Sequence, residues 1–278
     1  MRYSGLKQTS FDIITIGYEI LDGKILDTNS KWLAEQITSL GGRVRRMITV
    51  GDDLKEIASV IRSSIKDGVD WIITSGGLGP TFDDLTLQGV AKATRRKLVL
   101  NRRALKMLEE RYRILSEKKM ICSPKLTPHR LKMAMLPRGA KPLRNEVGSA
   151  PGVLLKHEKT KIICLPGVPS ELKNIFENEV KPLLKKSIRK VFRAEKWIEC
   201  VGVAESSLAP KIDEIRSKIP QLYIKSHPRM EEGRSMIKLQ LISIANNLKK
   251  AEKLLEEGEE IMIDAVKSLG GSLKEVKE

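Results

Sequence analysis

The chain has 278 residues, enough for one large domain or two ordinary ones, and its 41% hydrophobic and 31% charged residues are the balance of a soluble globular protein. The formal net charge is +16, yet the basic residues come in scattered groups such as Arg45-Arg46, Arg95-Arg96-Lys97 and Lys249-Lys250. Aromatics make up only 4%, so neither a basic tail nor a base-stacking platform points to nucleic acid. No apolar run approaches the roughly 18 residues of a membrane span, and the polar stretch Met1 to Ser10 is no secretory signal. Cys122, Cys164 and Cys200 form no CxxC pair and read as free thiols of a reducing cytosol, which makes the expected localisation cytoplasmic.

In chain order, Phe11 to Gly17 reads as a strand ending in glycine. After a loop, Asn29 or Ser30 is placed to N-cap a helix carrying Leu33, Ile37 and Leu40. Gly41-Gly42 stops that helix, and Arg43 to Val50 reads as a second strand. Asp53 and Glu56 have capping-box spacing before Leu54, Ile57, Ala58, Ile61 and Ile65. Val69 to Ile73 is a third, buried strand; past its loop, Leu85, Leu87, Val90 and Ala91 have the spacing of one helix face. This alternation predicts βαβ units and a doubly wound, mostly parallel α/β sheet, whose ligands bind beyond the carboxyl ends of the strands. Gly17-Tyr18-Glu19, Gly51-Asp52-Asp53 and Gly76 to Asp84 are expected to share that rim.

Farther on, Asn101 to Glu117 reads as a helix, with a short helical piece at Leu131 to Met135 and strands at Val153 to Lys156 and Lys161 to Leu165. Pro166 to Leu172 turns into a helix reaching about Lys186. From there the pattern is β-α-β-β-α: Lys190 to Val203, Ser206 to Ile219, Leu222 to Ser226, Ser235 to Ala245 and Asn246 to Ser268. The expected organisation is an N-terminal tail (1–10), an α/β domain (11–186) and a small α+β domain (187–278).

The stretch with chemistry is Thr74-Ser75-Gly76-Gly77-Leu78-Gly79-Pro80-Thr81-Phe82-Asp83-Asp84. Its three glycines permit positive φ and close approach of a ligand, and their amides can face an anion. Asp83 and Asp84 either hold a divalent metal or cap the following helix. Consecutive residues entering a helix point about 100° apart, so one of the two can face the loop while the other caps. A helix N-terminus favours a negative charge by only about 0.3–1 kcal/mol, less than the roughly 1.4 kcal/mol of a tenfold affinity change. Tight phosphate binding therefore needs several amides and a cation, with Mg²⁺ or Mn²⁺ suited to the oxygen donors. A Walker motif, GxGxxG after a strand, zinc-ligand spacing and a GxSxG elbow are all absent.

The loop Thr74 to Thr86 resembles the GGLGPTxDDxT signature of CinA-like proteins, within the molybdopterin-binding (MoaB/MogA/MoeA-like) domain superfamily. Gly17-Tyr18-Glu19-Ile20-Leu21 with Gly23, Ile25 and Asp27-Thr28-Asn29-Ser30 is similar to that family's GNELLxGxIxDTNS. Val50-Gly51-Asp52-Asp53, Asn145 with Gly148 and Ala150-Pro151-Gly152, and Leu165 to Glu171 match its VGDD, NxxGxAPG and LPGVPxE stretches. Gly202 with Glu205-Ser206 resembles the family's second, KH-like domain, without the GxxG loop of RNA binding. The resemblance implies a site for a nucleotide or pterin phosphate, and an ADP-ribose pyrophosphatase dependent on Mg²⁺, Mn²⁺ or Co²⁺ in a protein that forms homo-oligomers. It carries Asp83 and Asp84 as metal ligands and catalytic groups, Lys132 to offset phosphate charge and Glu19 to position water. Thr74, Gly76, Gly77, Gly79, Pro80, Thr81, Asp27, Asn29, Ser30, Asp52, Asn145, Gly148, Pro166 and Gly167 are its substrate-binding set. The chain departs from the family at Tyr18, which stands for Asn, and at His129 to Met133, where only Lys132 of the TPNNxKQA segment is kept. Those departures leave open a second reading, binding of a pterin or flavin nucleotide without hydrolysis. Nucleic-acid binding, resting on charge alone, is a third and weaker one.

Overall fold

The computed structural model describes residues 8–231 and 234–275; residues 1–7 of the expected tail and positions 232, 233 and 276–278 of the expected second domain lie outside it. The chain divides into one compact unit, Thr9–Ile188, and another built from Arg189 onward. The first unit opens with β1 (Ser10–Ile16), α1 (Tyr18–Leu21), α2 (Thr28–Ser39), β2 (Arg43–Val50), α3 (Leu54–Lys66), β3 (Trp71–Ser75) and α4 (Thr86–Ala93). It continues with β4 (Leu98–Leu100), α5 (Arg102–Glu117), α6 (Pro128–Lys132), β5 (Met135–Pro137) and β6 (Lys141–Leu143). It closes with β7 (Gly152–His157), β8 (Thr160–Leu165), α7 (Pro169–Ile175), a π-helical turn (Phe176–Val180) and α8 (Lys181–Ser187).

Six strands form one sheet in the order β2-β1-β3-β8-β7-β6, with β2, β1, β3 and β8 parallel and β7 antiparallel to both its neighbours. The antiparallel part follows from the chain: β7 and β8 are joined by only Glu158 and Lys159, and a two-residue connection can make only a hairpin. The central strands are buried on both faces, as parallel strands under crossover helices must be. In β1, Ile14 and Ile16 enter the core beneath α3, α4 and α5, while Phe11 and Ile13 enter the opposite core beneath α2 and α7. In β3, Ile72 faces the first core and Trp71 and Ile73 the second. The chain leaves β1 for β2 on one side and returns to β3 on the other, so the order reverses between β1 and β3, where a crevice opens.

Asp12, on β1, is fully buried and nearer the other end of the strand from the loops that carry the motifs. Arg45 and Arg46 of β2 and the Ser64 hydroxyl of α3 all donate to its carboxylate, at 2.6–3.2 Å. Burial alone pushes this carboxyl up, but the donors outweigh it and hold it below the ordinary carboxylate range.

Several local expectations shift. The cap of α2 is Asp27, which accepts from Ser30 N at 2.9 Å; Asn29 and Ser30 lie inside the helix and are buried. The short helix α6 begins at Pro128, earlier than the Leu131 start that the sequence suggests, with Thr127 as its cap. Pro at the first turn costs no hydrogen bond there. The helix expected to run unbroken to about Lys186 instead passes through the π-helical turn just before Pro182. An expanded turn beside a proline accommodates the missing N–H and the ring.

The second unit contains β9 (Phe192–Val201), α9 (Glu205–Lys218), β10 (Leu222–Glu231), β11 (Arg234–Ala245), α10 (Leu248–Ser268) and β12 (Ser272–Glu275). Its strands pair antiparallel in the order β10-β11-β9-β12. The alternation in β11 sends Ile237, Leu239 and Leu241 into a core shared with Leu208, Ile212 and Ile215 of α9 and Met262 and Val266 of α10. The last strand, β12, has no counterpart in the sequence reading.

Candidate functional site

A cavity of about 570 Å³ opens at the carboxyl ends of β1, β2, β3 and β8. Its floor is the glycine loop, and each glycine is there for a separate reason. Gly76 has φ +102°, and a Cβ built on it would stand 2.2 Å from the Ile16 carbonyl oxygen of β1. Gly77 has φ +66°, with Thr86 Oγ1 2.3 Å from the position of a Cβ. Gly79 does not have positive φ, against expectation; it is small because Asp84 Oδ2 would lie 2.6 Å from its Cβ. Among the described residues, the backbone N–H groups of Gly77, Leu78 and Gly79 donate to no protein acceptor, and all three residues line the cavity.

The aspartates do not cap α4, whose N-cap is Leu85 without a side-chain bond. Asp84 Oδ2 instead accepts from Thr81 N at 2.8 Å and from the Thr81 hydroxyl, closing the 81–84 turn on itself. Asp83 is held below the ordinary carboxylate range by neighbouring Thr81, its own amide and the Lys132 charge. Glu19 on α1 and Asp52 after β2 join Asp83 and Asp84 among the five cavity-lining carboxylates, the fifth being Glu171. Asp52 accepts from Tyr18 N at 3.0 Å. Partial burial raises its proton affinity, and the charges of Glu19, Asp83 and Asp84 add to that. Tyr18, the family departure, lays its ring on Gly51, where a Cβ would meet Tyr18 Cε1 at 2.4 Å.

Of the residues expected at the site, Glu19, Asp52, Gly76, Gly77, Gly79, Pro80, Thr81, Asp83, Asp84, Pro166 and Gly167 line this cavity. The others stand behind it. Asp27 caps α2 and accepts from Thr15 Oγ1 at 2.6 Å, while Ser30 Oγ pairs with the same Thr15 hydroxyl at 2.6 Å. Asn29 Nδ2 donates to Ser75 Oγ at 3.0 Å and to the Gly167 carbonyl at 2.8 Å, tying two cavity loops together from below. Thr74 is fully buried in β3. Asn145 and Gly148 shape their own loop, with Asn145 Oδ1 accepting from Val147 N at 3.1 Å and Gly148 N at 2.8 Å. Lys132 does not reach the cavity; its Nζ donates to the Thr81 carbonyl. A lysine on α6 so engaged braces the glycine loop from outside.

The wall at His129 to Met133 is rebuilt by apolar and stacking contacts. Arg130 lies 4.1 Å over the Tyr112 ring of α5, and Tyr112 and Met133 line the cavity. Tyr112 appears in the sequence only as a helix-face residue, and its place at the site depends on how α5 packs. Ser149, Val168 and Glu171 also line the cavity; Glu171 stood inside a recognised motif, which was the available signal.

Among the described residues no helix is long and apolar enough to cross a membrane. Residues 12–186 match the family model described as a probable molybdopterin binding domain. A curated protein from Aeropyrum pernix is 40% identical over 95% of this chain and 96% of its own length, and one from Metallosphaera sedula is 38% identical over 96% and 97%. A crystal structure of the protein CinA, of unknown function, from Thermoplasma acidophilum superposes with a TM-score of 0.56 at 38% identity, covering 63% of this chain and 98% of that one. The chain belongs to the molybdopterin-binding-domain family, as a CinA-like member of it.

Proposed function

We propose that the cavity is a metal-assisted hydrolytic site for a pyrophosphate, with ADP-ribose or a related dinucleotide as its substrate class. One observation carries this reading: Gly77, Leu78 and Gly79, whose amides are unengaged, line the same cavity as the five carboxylates of Glu19, Asp52, Asp83, Asp84 and Glu171. The amides suit an anion and the carboxylates repel one, so the two sets work together only across a cation. Glu19, Asp83 and Asp84 offer hard oxygen donors, which fit Mg²⁺, Mn²⁺ or Co²⁺. Among the described residues no three such groups converge into a ready cage, so a cation there would need further oxygen donors from the ligand. When bound, that ion would polarise the phosphoryl group and lower the pKa of an attacking water.

The chain's own residues then divide the work. The loop amides hold phosphate oxygens, and Asp83 stays ionised on the strength of Thr81 and Lys132. Asp52, with its raised proton affinity, is the group fitted to take a proton from water. Glu19 positions that water. Water adds to phosphorus, the bond to the bridging oxygen breaks, and AMP and ribose 5-phosphate leave.

Incubation with ADP-ribose and each metal, with AMP release followed by chromatography, tests the reading. Turnover that disappears in Asp83→Ala and Asp52→Ala supports it; no turnover with any of the three metals refutes it. A second reading, binding of a pterin or nucleotide without hydrolysis, is favoured by the family's description. Ligand-induced thermal stabilisation without product formation would establish it.

A further inference from the structure

Glu171 lies in the first turn of α7 and lines the cavity, yet nothing in the hydrolytic scheme uses it. Its carboxylate is built into place. Asn145 Nδ2 donates to Glu171 Oε2 at 2.7 Å and to the Ala150 carbonyl at 2.8 Å. The orientation of that amide is forced, because Asn145 Oδ1 already receives the N–H groups of Val147 and Gly148. Gly148 is required beneath the carboxylate: a Cβ there would stand 1.8 Å from Glu171 Oε2. Among the described residues, Glu171 Oε1 takes no hydrogen bond.

The parallel strands also set Glu171 apart from the other acids. Along the rim, Asp52 follows β2, Glu19 follows β1, the glycine loop follows β3 and Glu171 follows β8, in the spatial order of the sheet. The charges that raise Asp52 are those of Glu19, Asp83 and Asp84, which are grouped on one side. Glu171 stands past the glycine loop, away from Asp52 and Glu19. A fixed carboxylate there is no help to a phosphate; it suits a neutral O–H donor, with which it forms a strong charge-assisted bond.

We propose that Glu171, positioned by Asn145, accepts hydrogen bonds from the ribose hydroxyls of the ligand, so that the site selects ribonucleotides with a free diol. This inference rests on the reading of the cavity as a pyrophosphate site with phosphates on the Gly77–Gly79 amides. It is tested by calorimetric titration of the full chain, with Mg²⁺ present, using ADP and 2′,3′-dideoxy-ADP. The expected result is about tenfold or tighter binding of ADP, the scale of one hydrogen bond to a charged acceptor. Glu171→Ala should weaken ADP alone and abolish the difference, and Glu171→Gln should lose most of it as well, because Asn145 Nδ2 claims the amide oxygen and leaves an NH2 donor where Oε1 stood. Equal affinities in the unaltered protein, or equal weakening of both ligands in Glu171→Ala, overturn the proposal, the second because it marks a merely structural role. Diol preference without ADP-ribose turnover upholds Glu171 and sinks the hydrolase reading; turnover without diol preference does the reverse. Failure of ADP to bind at all overturns the Glu171 proposal, while the hydrolase reading stands or falls by the turnover assay.

Discussion

Gly76 offers the sharpest test of how the glycine loop is made. Gly68 and Gly76 both have positive φ, +70° and +102°, but a Cβ at Gly68 meets nothing within 4 Å, whereas at Gly76 it meets the Ile16 carbonyl oxygen at 2.2 Å. Alanine at Gly68 should therefore cost only left-handed backbone strain, about 1–2 kcal/mol. Alanine at Gly76 carries that strain and forces apart β1 and β3, which pair in register through Thr15 and Ser75 just before this point. Neither backbone can yield cheaply, since both strands are buried on two faces. Overpacking of this kind typically adds 1–3 kcal/mol, so Gly76→Ala should cost about 2–5 kcal/mol in all. Urea denaturation of the two variants, with fitted slopes compared to confirm a common unfolding reaction, measures both values. Equal losses would show that the sheet relaxes freely around Gly76, and the close-approach explanation of the loop would be wrong.

Further predictions rest on other parts of the fold. Asp12→Asn should destabilise by about 1–2 kcal/mol, since Arg45 and Arg46 lose their buried partner but are partly exposed and keep Asp67 at 3.2 Å; denaturation at pH 7 measures this. Because the Asp12 carboxyl is depressed in the folded state, its contribution is present above the ordinary value of 3.8 and fades as pH falls through the lower folded value, so the gap between Asp12→Asn and the parent should shrink in acid. Thiol titration at pH 8 should label Cys122 alone in the folded chain and all three cysteines in denaturant, since burial raises Cys164 and Cys200 to about 12. More than one fast-reacting folded thiol would contradict that burial. Turnover of ADP-ribose should decline on acidification from above the usual carboxylate range, because Asp52 is raised and must be ionised to take a proton from water; a pH–rate series measures this, and a rate flat through that range would contradict the assignment.

The legible features were those written in local chemistry. Apolar period located β1 and α5, and period with the Asp53 cap located α3, while the glycine loop announced itself through three glycines past a strand. Residues whose roles depend on a distant partner were not legible. Lys132 is in a recognised segment, yet its amine meets a carbonyl 51 positions away. Asn29, Ser30 and Asp27 have polar side chains suited to a ligand, but the packing of α2 on β1 and β3 turns them to Thr15, Ser75 and Gly167. Tyr112 enters the site only because α5 folds over it, which no short motif records; Met133 lies in the segment similar to TPNNxKQA and brings an apolar side chain where that pattern has glutamine.

The fork made by Asn29 has a consequence for the thermodynamics of binding. By joining Ser75 to the Gly167 carbonyl, it sets the separation of the β3 and β8 loops before anything enters the cavity. The Gly76 N–H bonded to the Leu165 carbonyl at 3.0 Å and the Thr86 hydroxyl bonded to the Gly76 carbonyl at 2.7 Å fasten the same junction. A ligand arriving there meets walls already in position and surrenders little loop entropy. Preorganisation of this sort keeps affinity in the enthalpy of a few directed contacts, and a weakened junction would surface as an entropic loss with every contact residue still in place.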